Sequence, residues 1–127
     1  SKLPRAMYPP YNRRARAKMN RQLILYRNEL KNSKIQTYKL IGIVSELVLS
    51  KEIFKNNIDI EDFIVNVFNL RFKDYLYKSR TLLVARLTRE ILNNDSHAKQ
   101  TKVLYKFIVS KIDEDNINTN NQLDGWI

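Results

Sequence analysis

The chain has 127 residues, 43% of them apolar, which suits one domain around one core and is too apolar for a chain disordered throughout. It holds no cysteine and a single histidine, His97, so a disulfide framework and a thiolate or multi-histidine metal site are excluded. The net charge of +10 and pI near 9.9 point to an anionic partner.

That charge is laid out in blocks. Residues 1–34 carry ten basic side chains against one acid, residues 35–70 three against five, residues 71–111 ten against three, and residues 113–127 none against four. With two glycines and three prolines the chain is short of tight-turn material, which favours long helices over a sheet. Strict apolar alternation is absent, and the apolar spacings follow 3 and 4. The fold expected is all-α: a single bundle of four or five helices over residues 12–112, with an extended basic arm at 1–11 and an irregular, acidic, Asn-rich tail at 113–127.

In chain order, Pro4, Pro9 and Pro10 predict extended backbone over the arm. An Arg-rich, acid-poor start has the composition of an organelle transit peptide, but these prolines disrupt the amphipathic helix such a peptide needs. Asn12 is placed to cap a first helix over about 12–32. Ala15, Met19, Leu23, Tyr26 and Leu30 form its apolar stripe, and Arg13, Arg14, Lys18 and Arg21 fall largely on the other side. A second helix over about 36–50 carries Leu40, Ile41, Val44, Leu47 and Val48. Gly42 inside it marks a close helix contact or a local cost of up to about 1 kcal/mol. Asp59 and Asp62 have capping-box spacing at the start of a third helix bearing Phe63, Ile64, Val67, Phe68 and Leu70.

"DYLYKSRTLLVARLTREIL" reads as one fourth helix, central in the bundle. Leu76, Leu83, Val84, Leu87 and Ile91 make one face, with Tyr75, Leu82 and Ala85 on other sides. Ser96 is placed to cap a fifth helix with Val103, Leu104, Phe107, Ile108 and Ile112. Trp126, in the tail, is available to dock on the domain.

The basic residues carry the candidate chemistry. In Arg13, Arg14, Arg16, Lys18 and Arg21 like charges recur at helical spacing with almost no acids between them; the run is either a solvated helix face or a surface whose repulsion an external polyanion relieves. Tyr8 and Tyr11 beside them either stack on bases or pack on the bundle. Lys78, Arg86 and Arg89 form a ladder that follows a phosphate backbone or is simply a solvated stripe. Arg80 falls in the middle of the fourth helix's apolar face. Desolvating its guanidinium costs several kcal/mol, so it is expected to form a buried ion pair, with Asp59, Asp62 or Asp74 as acceptor, or to cap carbonyls. The alternative is a phosphate contact through a gap between helices. No glycine loop for phosphate, H-E-x-x-H or nucleophile elbow occurs, so no enzyme, cofactor or metal is expected.

"KIQTYKL" and "FNLRFKDYLYKSR" resemble the small helical subunit of type III CRISPR effector complexes. The matching positions are Thr37, Lys39 and Leu40, then Leu70, Arg71, Tyr77 and Arg80. Lys78-Ser79 departs from the family's Ala-Gly, and "VLYKFIVSKI" lacks its C-terminal aromatic-alanine signature. The resemblance implies a non-catalytic subunit gripping the backbone along a guide RNA and its target.

The function expected is a non-catalytic nucleic-acid-binding subunit of a ribonucleoprotein or nucleoprotein assembly. It would grip phosphates without base specificity, take RNA ahead of DNA, and contact other protein subunits. The alternative is a helical protein-interaction module for an acidic or amphipathic partner. The absence of a long apolar run or cysteine fits an intracellular, reducing compartment and no membrane contact.

Overall fold

The structure is a computed structural model that describes the backbone of residues 4–32 and 34–124, and the side chains of 14–32 and 34–114. Among the described residues it is all-helical. Its elements are α1 (Pro4–Leu30), α2 (Thr37–Leu49), α3 (Asn57–Phe68), a 3-10 turn (Asp74–Lys78), α4 (Arg80–Asn93) and α5 (Ala98–Asp124).

The stripes read from spacing are the faces that become buried. Leu23, Tyr26 and Leu30 of α1, Leu40, Val44, Leu47 and Val48 of α2, and Phe63, Ile64, Val67 and Phe68 of α3 are all in the core. Leu83, Leu87 and Ile91 of α4 and Leu104 and Ile108 of α5 complete it. The two long helices α1 and α5, 27 residues each and so about 40 Å long, pack on one another, while α4 packs on α2. Phe54, Phe63 and Phe107 tie the α2–α3 loop, α3 and α5 together, with ring centroids 4.8–5.8 Å apart. The Tyr26 hydroxyl donates to Glu46, linking α1 to α2.

Several boundaries differ from the sequence expectation. The arm is helical from Pro4 on rather than extended, and Asn12 lies inside α1 instead of capping it. Pro4 sits at the first helical position, where a missing N–H costs nothing. Pro9 and Pro10 carry a φ already suited to a helix, at the cost of hydrogen bonds to the carbonyls of Arg5 and Ala6. The acidic tail is helical to Asp124 rather than irregular from 113, because its Asn and Asp residues are weak helix formers but not breakers. Trp126 lies outside the described residues.

The continuous fourth helix is broken at Ser79, whose Oγ accepts from the Leu82 N–H at 3.3 Å and starts α4. Serine serves better as a cap than inside a helix. The preceding 3-10 turn buries Leu76 and Tyr77, while Tyr75, Leu82 and Ala85 are exposed, so α4 is amphipathic rather than enclosed. The capping box at α3 uses Asn56 and Asp59, not Asp59 and Asp62: the Asp59 carboxylate accepts from the Asn56 N–H at 3.2 Å. Asn69, at φ 56°, ends α3 in the left-handed region that asparagine tolerates. α5 starts at Ala98, which puts His97 rather than Ser96 at the cap position. Gly42 is exposed, with nothing within 4 Å of where a Cβ would stand, so it marks no helix contact.

Candidate nucleic-acid interface

The helical period sorts the cations of α1. Arg14, Lys18 and Arg21, separated by 4 and 3, share the face opposite Leu23, Tyr26 and Leu30. All three are exposed. Among the described residues the ion pairs are Lys39–Glu29 at 3.2 Å, Arg86–Glu90 at 3.7 Å and Lys111–Glu114 at 3.3 Å, so none of this trio is matched to a carboxylate.

Arg16 stands apart. It flanks the apolar stripe and lines a cleft of about 180 Å³ with Glu52 from the α2–α3 loop and Glu114 and Lys111 from α5. Arg16 is exposed and forms none of the ion pairs above, and Glu114 is paired with Lys111, which leaves Glu52 as the acid of the cleft not so engaged. The side chains of Arg13, Tyr8 and Tyr11 lie outside the described residues.

The ladder of Lys78, Arg86 and Arg89 is not continuous. Lys78 ends the 3-10 turn, and the break at Ser79 separates it from the other two. Arg86 is engaged internally by Glu90 and lies 5.7 Å from the centroid of the Phe72 ring. Lys78 and Arg89 are exposed. Because α1 packs chiefly on α5 and α4 on α2, the two basic blocks belong to different helix pairs.

Arg80 is a clasp. Its Nε donates to Asn57 Oδ1 at 2.9 Å, one terminal nitrogen donates to the carbonyls of Val48 and Ser50 at 3.1 Å each, and the other donates to the Phe54 carbonyl at 2.5 Å. Asn57 in turn donates to the Tyr77 carbonyl at 2.8 Å. These acceptors are at the C-terminal end of α2 and in the loop after it, where helix carbonyls lack intrahelical donors and the helix dipole is negative. The buried ion pair is therefore corrected to a carbonyl cap: none of Asp59, Asp62 and Asp74 bonds to Arg80. Carbonyls suffice because one planar guanidinium can donate five hydrogen bonds in a fixed fork.

The resemblance positions fall on the scaffold. Thr37 opens α2, Leu40 and Tyr77 are buried, Lys39 pairs with Glu29, and Arg80 is the clasp. Sequence reasoning passed over Asn57, which no pattern signals. It also passed over Lys99 and Lys102, whose i, i+3 spacing puts them on one side of α5 beside Lys31 at the end of α1. Among the described residues no group of three or more His, Cys, Asp or Glu could hold a metal ion, and no helix is long and apolar enough to cross a membrane. Comparison with protein-family models, curated proteins and solved structures returns no match.

Proposed function

We propose that this chain is a non-catalytic helical subunit that grips a nucleic-acid backbone, RNA ahead of DNA, within a larger assembly. The observation that carries the reading is the exposed trio Arg14, Lys18 and Arg21 on one face of α1, without carboxylate partners among the described residues. Like charges at this spacing cost a few tenths of a kcal/mol each in an isolated helix, and phosphates relieve that cost while condensed counterions are released. Lys78 and Arg89 extend the contact from a second helix pair, and Arg13 adds to it on sequence grounds. Such contacts position the protein without reading bases.

The test is binding to a labelled RNA single strand and duplex by wild type and by a variant with Arg14, Lys18 and Arg21 changed to Gln. Loss of affinity in the variant, with its melting temperature unchanged, supports the reading. Equal affinity of the two proteins removes α1 as the contact.

A second reading, a protein-interaction module, rests on exposed large apolar side chains, among them Tyr38 on α2, Ile58 on α3 and Leu92 on α4, each more than 60% accessible. It is favoured if neither protein binds RNA.

A further inference from the structure

A groove runs between α3 and α5. Two clefts, of about 520 and 670 Å³, share Asn66, Val67 and Val103 and so join end to end. The first is lined by Asp59 and Asp62 from the start of α3 and by Phe107 and Lys111 from α5. The second is lined by Val65 and Phe68 from the end of α3 and by Lys99 from the first turn of α5. The two helices therefore flank the groove in antiparallel directions. The groove follows α3, whose 12 residues rise about 18 Å, and the stretch from Lys99 to Lys111 on α5 rises by the same amount.

The groove has apolar walls at a helical repeat. Phe63 and Val67 on α3, and Val103 and Phe107 on α5, each stand four residues apart and line it. Val103 and Phe107 are half-buried, so apolar surface stays open to solvent there. A row of side chains at i, i+4 on a further helix packs between two such rows.

Its rims carry opposite charge. Both acids that line it, Asp59 and Asp62, are on α3, and all the cations, Lys99, Lys106 and Lys111, are on α5. Asp59, Asp62, Lys99 and Lys106 form no ion pair among the described residues, so the rims do not close on each other. A nucleic acid, anionic throughout, would be repelled along α3, which separates this groove from the contact on α1. A helix with one basic and one acidic flank is attracted along both rims.

We propose that the groove receives an amphipathic helix of a partner protein. Its apolar stripe lies between the Phe63–Val67 and Val103–Phe107 rows. Its basic flank runs along Asp59 and Asp62, and its acidic flank along Lys99 and Lys106. The proposal does not rest on the backbone contact of Arg14, Lys18 and Arg21.

Fluorescence anisotropy of the full chain with labelled helical peptides of about 12 residues tests it. All carry the same leucine stripe at i, i+4 spacing. One has lysine along one flank and glutamate along the other, and two controls have glutamate on both flanks or lysine on both. The mixed peptide should bind saturably and about fivefold more tightly than either control. Asp62→Lys, at an exposed position, should weaken the mixed peptide by about two- to fivefold and tighten the all-glutamate one. Val103→Glu sets a charge between the two apolar rows and should abolish binding of the mixed peptide. Thermal melts establish that each variant is folded, and Asp62→Lys carries the test if Val103→Glu unfolds. The Gln variant of Arg14, Lys18 and Arg21 should bind the mixed peptide as the wild type does, so failure here is distinct from failure of the backbone contact. The proposal is overturned if the mixed peptide does not bind, if either control matches it, or if either folded variant leaves its affinity unchanged. It is overturned in favour of a second copy of this chain if the protein alone self-associates in sedimentation and Val103→Glu makes it monomeric.

Discussion

At the start of α4 the Arg80 guanidinium donates to three backbone carbonyls and to Asn57. Along α1, Arg14, Lys18 and Arg21 are exposed and, among the described residues, have no carboxylate within 4.0 Å. Both regions are rich in cations, yet one is consumed by the fold and the other is left over. Acceptors decide the difference. The end of α2 and the loop after it supply carbonyls of Val48, Ser50 and Phe54, of which Ser50 also accepts from the Phe54 N–H, and a forked donor at the first turn of α4 reaches all three. Among the described residues the outer face of α1 meets no carboxylate, so its charge remains available to a partner. In a basic protein the count of arginines says little about function until those that close the structure have been subtracted.

This contrast predicts that Arg80 and the α1 trio respond oppositely to substitution. Arg80→Met should cost about 3 kcal/mol, because it strands buried carbonyls as well as removing charged hydrogen bonds. Chemical denaturation should show the loss as a lower midpoint, and Arg80→Lys should rescue little of it, since an ammonium cannot reach four acceptors with a fork's geometry.

Tyr26→Phe removes the bond to Glu46 that links α1 to α2 and should cost about 1 kcal/mol. It should also change the alkaline limb. Burial first, then the hydrogen bond and charge of Glu46, push the Tyr26 hydroxyl well above its usual pKa. The folded state therefore holds this proton where the unfolded chain releases it. The associated stability is complete below pH about 10 and is lost as pH rises above that value. Stability measured from pH 9 to 11 should fall in the wild type and fall less steeply in the variant.

Gly42→Ala should stabilise the chain by up to about 1 kcal/mol, since the added methyl meets open space on an exposed helix position. Placed in the Arg80→Met background, it should recover part of the lost midpoint by strengthening the helix whose end Arg80 caps. The smallest stability effect belongs to α1: changing Arg14, Lys18 and Arg21 to Gln should move stability by less than about 0.5 kcal/mol.

The helix count and buried faces were legible because a period of 3.6 repeats over several turns, as in Leu23, Tyr26 and Leu30 or Leu104 and Ile108. The ends were less legible. Ser79 can sit within a helix or cap one, and only packing of Leu76 and Tyr77 into the core decides between them. Pro9 and Pro10 oppose a helix through their missing donors but not through their φ, and spacing alone does not weigh those two effects.

The candidate site divides in the same way. The exposed face of Arg14, Lys18 and Arg21 follows from one helix, so local sequence sufficed. The fates of Arg86 and Arg80 depend on Phe72 and the end of α2, contacts between elements or across a turn that no local pattern encodes.

The most direct test is the salt dependence of RNA single-strand binding, measured side by side for wild type and the Arg14, Lys18 and Arg21 to Gln variant. Each lost phosphate contact removes about 0.7 from the log–log slope, so the variant's slope should be shallower by roughly 2 while Arg80→Met, held below its melting temperature, keeps the wild-type slope. Parallel slopes for wild type and the Gln variant would contradict the account.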